Sequence, residues 1–241
     1  MLILKLEDEL EVQLFDLTSS PVIPTPLGEK VIAQARVIAN EVEGLRTLLK
    51  TETGQLAGEF TLGIIPTLSP YLLPLFIQDF ANKYPEVRLR IREMQSEEIM
   101  NGLLNNTIDL GLLVTPLEEK QLREIVLFHE PFLIYASPEE DILQQSPLLP
   151  DHIQRKDLWI LQQGHCFRNQ VLNICDGSTD ASIRPNCSFE AGSIETLKNM
   201  VRSNLGYTII PEMSVNPSLD STHVKRFAEP EPVREVSLVV N

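Results

Sequence analysis

The spacing of apolar positions changes character along the chain, and each change marks a new element. In ILKLEDELEVQLFD, Leu6, Leu10, Val12, Leu14 and Phe15 are spaced for a short amphipathic helix or two turns. The proline-rich SSPVIPTP that follows is extended, because it cannot continue a helix. Thr25-Pro26 then opens a helix, Thr as the cap and Pro at the first helical position. From there Leu27, Val31, Ala35, Ile38, Val42, Leu45 and Leu49 recur at steps of four and three. That is a heptad-like seam, with Glu29, Lys30, Arg36, Glu41, Glu43, Arg46 and Lys50 largely outside it. Such a helix packs either on its own domain or on a second copy of itself. The near absence of polar residues in the seam favours the second. TETGQLAG reads as a linker.

After residue 58 the pattern alternates between strands and helices. FTLGIIPT predicts a buried strand, PYLLPLFIQDFANKYP a helix ending at Tyr84-Pro85, and VRLRIREM an alternating strand. SEEIMNGLLNN predicts a helix and IDLGLLVT a further buried strand. This order implies right-handed crossovers and a largely parallel sheet. A second series follows: IVLFHEPFLIYAS extended, LWILQQ and NCSFEAG strands, SIETLKNMVRS a helix and YTIIP a strand. HVKRFAE and VREVSLVV close the chain as strands. The fold class is therefore α/β in two lobes with a cleft between them. Units of 1–25, 26–57 and 58–241 are expected, the last divided into a first lobe (about 58–130 and 232–241) and a second (about 131–231). Ligands of such sheets bind beyond the carboxyl ends of strands, where Thr67 and His165–Cys166 fall.

Composition narrows the function. At 241 residues and 43% hydrophobic the chain can bury a core without staples. No apolar run reaches membrane-spanning length, and MLILKLEDEL lacks the features of a signal peptide, so a cytoplasmic protein is expected. The net charge of −14 repels nucleic acid, and residues 1–58 hold five Lys or Arg against nine Asp or Glu. Three cysteines, an odd number in a reducing compartment, argue against a disulfide framework. The four histidines are scattered, and no CxxC or HxxxH spacing occurs, so neither a metal nor a cofactor is expected.

The segment GHCFRNQVLNIC holds Cys166 and Cys175, with His165 before the first cysteine and Arg168 two positions after it. Cationic or donor-rich neighbours and a helix N-terminus favour a thiolate, the form that attacks peroxide. The sulfenic acid so formed can condense with a second thiol. In one helix, nine residue steps would hold the two cysteines ~13 Å apart. A disulfide needs Cα atoms within ~7 Å, so oxidation would have to remodel the segment. Most cysteines, however, are inert core residues, and Cys187 in its apolar strand reads as one. Taken singly, His165 reads as a structural residue, Arg168 and Arg234 as surface charges, and Thr67 and Ser96 as helix-start residues.

Together these motifs resemble a known family. KLEDEL-x-V-x-LF before a T-P-x-G helix is similar to the end of a LysR-type winged helix-turn-helix and its linker helix. SIETLKNMVRSNLGYTIIPEMSV is similar to the second-lobe signature of LysR-type effector domains. IPTLSPYLLP, ETLKNMV and above all HC-x-R-x6-C resemble the peroxide-sensing, OxyR-type members. The resemblance implies a periplasmic-binding-protein-like (type 2) effector domain, preceded by a winged-helix remnant (1–25) and a linker or dimerisation helix (26–57). It implies Cys166 as peroxidatic and Cys175 as resolving cysteine, with Thr67, Ser96, His165 and Arg234 binding peroxide and Arg168 supporting the thiolate. Ser96 and Asn169 stand where such proteins often carry Thr and Asp. It further implies a homodimer or tetramer, promoter DNA and RNA polymerase as partners, and glutaredoxin or thioredoxin as reductant. Family members carry a recognition helix upstream and a helix downstream, so the full-length protein is expected to bind DNA through parts beyond this chain.

Three other readings compete. A LysR-type regulator with a small organic effector would need ligand-binding residues in the cleft. A thiol peroxidase would turn over quickly with a thiol reductant, and has no use for a linker helix. An extracellular solute-binding protein would need a signal peptide.

Overall fold

The computed structural model of the chain describes residues 2–52, 57–153, 158–175, 191–204 and 206–241. At its N-terminus, α1 (Leu2–Leu10) leads into two short antiparallel strands, β1 (Phe15–Asp16) and β2 (Ile23–Pro24). Glu7 ties the helix to the hairpin: its Oε1 accepts from the backbone N–H groups of Leu14 and Phe15, at 2.6 and 3.0 Å. The long helix α2 (Pro26–Glu52) starts as its sequence predicts, the Gly28 N–H donating to Thr25 Oγ1 at 2.9 Å. Gly28 is obligatory, because a Cβ there would lie 1.9 Å from the Leu14 carbonyl oxygen. Leu27, Ile38 and Val42 of the seam are exposed in the single chain.

The first lobe contains β3 (Gly58–Ile64), α3 (Ser69–Lys83), β4 (Val87–Glu93), α4 (Ser96–Leu104) and β5 (Leu110–Thr115). Strand β3 pairs in parallel with β4 on one side and β5 on the other. β4 is the edge strand, and its alternation turns Arg88, Arg90 and Arg92 outward, which discourages edge-to-edge association. The second lobe contains β7 (Leu158–Trp159), α5 (Cys166–Ile174), α6 (Ile194–Arg202), β8 (Tyr207–Pro211), α7 (Pro217–Asp220) and β9 (Val224–Arg226).

Two long strands join the lobes. β6 (Arg123–Ala136) pairs with β10 (Val233–Val240) along residues 123–131, and with β8 and β9 along residues 132–136. β10 lies between β5 and β6 and is antiparallel to both. The sheet is therefore mixed: the parallel pairing expected of the first series holds for β3, β4 and β5, and β10 and β6 add antiparallel strands. The strand–helix–strand rule governs only strands joined by helical crossovers; β10 returns from the other lobe and runs against its neighbours. Two further differences concern strand length. LWILQQ keeps only Leu158–Trp159 as strand, followed by a single parallel bridge from Leu161 to Ala191, and HVKRFAE only Val224–Arg226. Most of NCSFEAG, including Cys187, lies outside the described residues.

Each lobe has its own apolar core. Ile64, Leu68, Ile99, Leu103, Leu113 and Val236 centre the first; Phe132, Ile134, Tyr135, Phe167, Leu197 and Ile209 centre the second. Burying each such side chain stabilises by about 1.5–3 kcal/mol, so each core contributes strongly to holding its lobe together. Among the described residues no helix is long and apolar enough to cross a membrane.

Candidate functional site

Three backbone segments meet where the lobes face one another. The first is the turn Ile65–Leu68 at the end of β3, closed by Leu68 and Ser69 N–H groups donating to the Ile65 carbonyl at 3.0 Å each. The second is the start of α4, where the Gln95 N–H donates to Glu98 Oε2 at 3.0 Å. The third is Gly164–Cys166 at the start of α5, with His165 as the N-cap residue and Cys166 as the first helical residue. Together they enclose a cavity of about 10 Å³, lined by Ile65, Pro66, Thr67, Gln95, Ser96, Gly164, His165 and Cys166. That is room for about one water-sized molecule.

Thr67 is 3% exposed and is fixed from behind. Arg234 Nη1 donates to its Oγ1 and Arg234 Nη2 to its carbonyl, both at 3.1 Å. The Thr67 hydroxyl thus accepts from Arg234 and keeps its own proton to donate. Arg234 is itself buried and does not line the cavity; it meets the cavity wall through Thr67. Its charge is balanced by the buried Glu130, whose Oε2 receives Nε at 2.8 Å and Nη2 at 2.7 Å. Glu130 Oε1 accepts the Met213 N–H at 2.8 Å, and the Phe167 ring lies 5.6 Å from the guanidinium carbon.

Ser96 contributes an unusual group. Its Oγ is buried against the cavity and has no hydrogen-bond partner among the described residues. A buried hydroxyl without a partner costs about 1–3 kcal/mol, a cost that a polar molecule in the cavity would relieve. His165 is buried, and burial is the main reason its pKa falls below the ordinary 6.5; the Glu93 carboxylate opposes this more weakly. Its imidazole is therefore neutral at pH 7. Of the cationic or donor-rich neighbours expected for the thiol, His165 is of the second kind, offering one donor and one acceptor.

Cys166 and Cys175 sit at opposite ends of α5, Cys166 as its first residue and Cys175 just after its last. Cys166 packs against the core of the first lobe, whereas Cys175 is buried in the core of the second. Nine helical steps separate them, ~13 Å along the axis. Arg168 reaches away to the Leu161 carbonyl, to which Nη1 donates at 2.9 Å. The structure thus gathers Thr67, Ser96, His165 and Cys166 around one cavity, sets Arg234 directly behind it, and leaves Cys175 and Arg168 outside.

Glu130, Gln95 and Gly164 are the residues that sequence reasoning missed. Glu130 carried one signal, a lone carboxylate inside the apolar run of β6, which requires a buried cation as partner. No group of three or more His, Cys, Asp or Glu suited to a metal occurs among the described residues.

The pattern of the LysR substrate binding domain family matches residues 53–241. The chain is 33% identical over 237 residues to the hydrogen peroxide-inducible genes activator of Haemophilus influenzae, covering 98% of this chain and 78% of that protein. It superposes on a full-length OxyR variant from Pseudomonas aeruginosa with a TM-score of 0.80 and 30% identity, over 98% of this chain and 79% of that one. For an H2O2-bound OxyR mutant from Corynebacterium glutamicum the TM-score is 0.72 and the identity 27%, over 99% and 75% of the two chains. With both lobes matched in sequence and in fold, the chain belongs to the LysR substrate binding domain family, in its OxyR type.

Proposed function

We propose that this chain is the regulatory part of a hydrogen peroxide-sensing transcriptional regulator, switched by a disulfide between Cys166 and Cys175. The observation that carries this reading is the convergence of the Thr67 hydroxyl, the Ser96 hydroxyl, which has no partner among the described residues, and neutral His165 on a cavity beside the Cys166 thiol. The cavity suits a peroxide far better than an organic effector.

Thr67, Ser96 and His165 hold the peroxide by hydrogen bonds. The Cys166 thiolate attacks one oxygen; the S–O bond forms, the O–O bond breaks, and hydroxide leaves to be protonated to water. Sulfur is oxidised by two electrons to a sulfenic acid. Arg234, through Thr67, fixes a donor where negative charge develops. The Cys175 thiol then attacks Cys166 sulfur; the S–S bond forms, the S–O bond breaks, and water is released. Because α5 keeps the two apart, it must unwind, and each cysteine must leave its own core. Arg168, anchoring the first turn to Leu161, supports the thiolate by holding α5 in place until then.

Residues 1–25 belong to a winged-helix unit, 26–57 to the linker helix, and 58–241 to the sensing domain. The exposed seam of α2 pairs with a second copy, giving a dimer or tetramer that carries the change to promoter DNA and RNA polymerase. The protein works in the cytoplasm, is reset by a glutaredoxin- or thioredoxin-like reductant, and reacts once per oxidation rather than turning over as an enzyme. One experiment tests the core of this: reduced protein is treated with one equivalent of hydrogen peroxide, thiols are counted and peptides mapped. A rapid Cys166–Cys175 disulfide with Cys187 still a thiol is expected. In Cys175→Ser the sulfenic acid should persist at Cys166. Slow oxidation of all three thiols alike would overturn the assignment.

A further inference from the structure

The cavity beside Cys166 has one wall unlike the others. Thr67 is pinned by two hydrogen bonds from buried Arg234, and His165 and Cys166 are held by the first turn of α5. The remaining wall is a contact between lobes: the Gln95 carboxamide of the first lies directly over Gly164 of the second. A Cβ at Gly164 would fall 2.5 Å from Gln95 Oε1 and 3.0 Å from Nε2. Gly164 also has φ +93°, which only glycine adopts without strain. The glycine is exposed and Gln95 half-buried, so this contact lies on the solvent side of the cavity.

We propose that Gln95, closing over Gly164, is a size filter that restricts the cavity to hydrogen peroxide and excludes alkyl hydroperoxides. The proposal rests on the reading of Cys166 as the peroxide-reactive thiol. In either reaction the sulfur takes one oxygen and the O–O bond breaks. Hydrogen peroxide releases hydroxide, whereas an alkyl hydroperoxide releases an alkoxide that becomes the alcohol. The alkyl group must therefore fit beside the departing oxygen, and a cavity of about 10 Å³ has no space for it while Gln95 is in place. Gln95 is well suited to the role, because its side chain can be shortened without disturbing its backbone. The Gln95 N–H remains bonded to Glu98, and its carbonyl still accepts the Ile99 N–H at 3.0 Å.

The test compares second-order rate constants for Cys166 oxidation by hydrogen peroxide, tert-butyl hydroperoxide and cumene hydroperoxide. Wild type, Gln95→Asn and Gln95→Ala are measured as the full 241-residue chain, each checked for native circular dichroism. The alkyl-to-hydrogen peroxide ratio should rise on the order of tenfold in Gln95→Ala, a discrimination typical of one or two methylenes in a pocket. Gln95→Asn should fall between the two. A general loosening of the fold would change both rates together and leave the ratio where it was. A ratio unchanged in folded Gln95→Ala, with wild type still reacting rapidly with hydrogen peroxide, would overturn the filter alone. A wild-type Cys166 no faster with hydrogen peroxide than an ordinary thiol would overturn the peroxide reading, and the filter with it.

Discussion

Two clusters of buried charge can be compared among the described residues, one that reaches the wall of the cavity beside Cys166 and one that does not. In the first, Glu130 neutralises Arg234, and the guanidinium reaches on to the Thr67 hydroxyl. In the second, Asp220 receives hydrogen bonds from Lys198, Arg202, Tyr135 and the Asn216 N–H, at 2.8, 2.5, 2.7 and 2.8 Å. Lys198 also donates to the Ser214 carbonyl at 2.5 Å. Asp220 is as deeply buried as Glu130 and has more partners, yet none of its cluster lines the cavity beside Cys166; it reaches the first lobe elsewhere, through Lys198 and Glu195, which accepts from the Tyr71 hydroxyl at 3.0 Å. Burial and charge pairing alone therefore do not mark a functional group here. What distinguishes the first cluster is a hydrogen bond left over, directed at a hydroxyl in the cavity wall.

Breaking the Asp220 cluster should give the largest effect. Asp220→Ala leaves Lys198 and Arg202 without their shared buried carboxylate. It should lower the free energy of unfolding by about 3–5 kcal/mol in a denaturant titration. The folded fraction should still oxidise Cys166 at the wild-type rate; a slowed reaction would show that the two clusters communicate. At the cavity, Thr67→Val should slow oxidation by hydrogen peroxide on the order of a hundredfold, as the loss of one fixed donor does, with little change in stability. An unchanged rate would remove Thr67 from the peroxide's contacts.

Glu130→Gln should be milder on both counts. Its amide can still accept from Arg234 but no longer balances the charge. Oxidation should slow about tenfold as Thr67 loses its fixed orientation, and the protein should lose about 1–3 kcal/mol. A loss of stability with no loss of rate would make the first cluster as purely structural as the second.

The smallest effects are those of pH. Burial alone would raise the Asp220 carboxyl, but hydrogen bonds from Lys198 and Arg202, then Asn216 and Tyr135, hold it well below the ordinary carboxylate range. Its stabilisation is complete above about pH 4 and declines as the pH falls below that value, because the unfolded chain protonates first. Asp220→Asn should flatten that acid limb. Burial likewise lowers His165 below 6.5, so as the pH drops past 6.5 the unfolded state again takes up its proton first and stability declines. His165→Gln should remove this second, shallower slope.

What could be read from the sequence was local. The Thr25 cap, the helix ending before Pro85 and the final strand VREVSLVV each carry their own signal within a few residues, and the structure places each where that signal points. The cavity residues Thr67, Ser96 and Cys166 were visible for a similar reason, as helix starts after strands. What joins them was not visible. Arg234 meets Thr67 across 167 residues and Glu130 across 104, and Gln95 meets Gly164 across the lobes. No periodicity encodes such pairings. The antiparallel insertion of β10 was hidden for the same reason, since it depends on where the chain returns and not on how its residues alternate.

That insertion has a consequence for how the protein comes into being on the ribosome. Strands β3, β4 and β5 emerge early, but the place between β5 and β6 is filled only when residues 233–240 have been made. Until then the nascent first lobe is an open-edged sheet, and Thr67 lacks the arginine that orients it. A chain still under synthesis therefore carries a completed Cys166 without a completed cavity. The cavity is thus completed by a strand made well after the segment that holds its thiol.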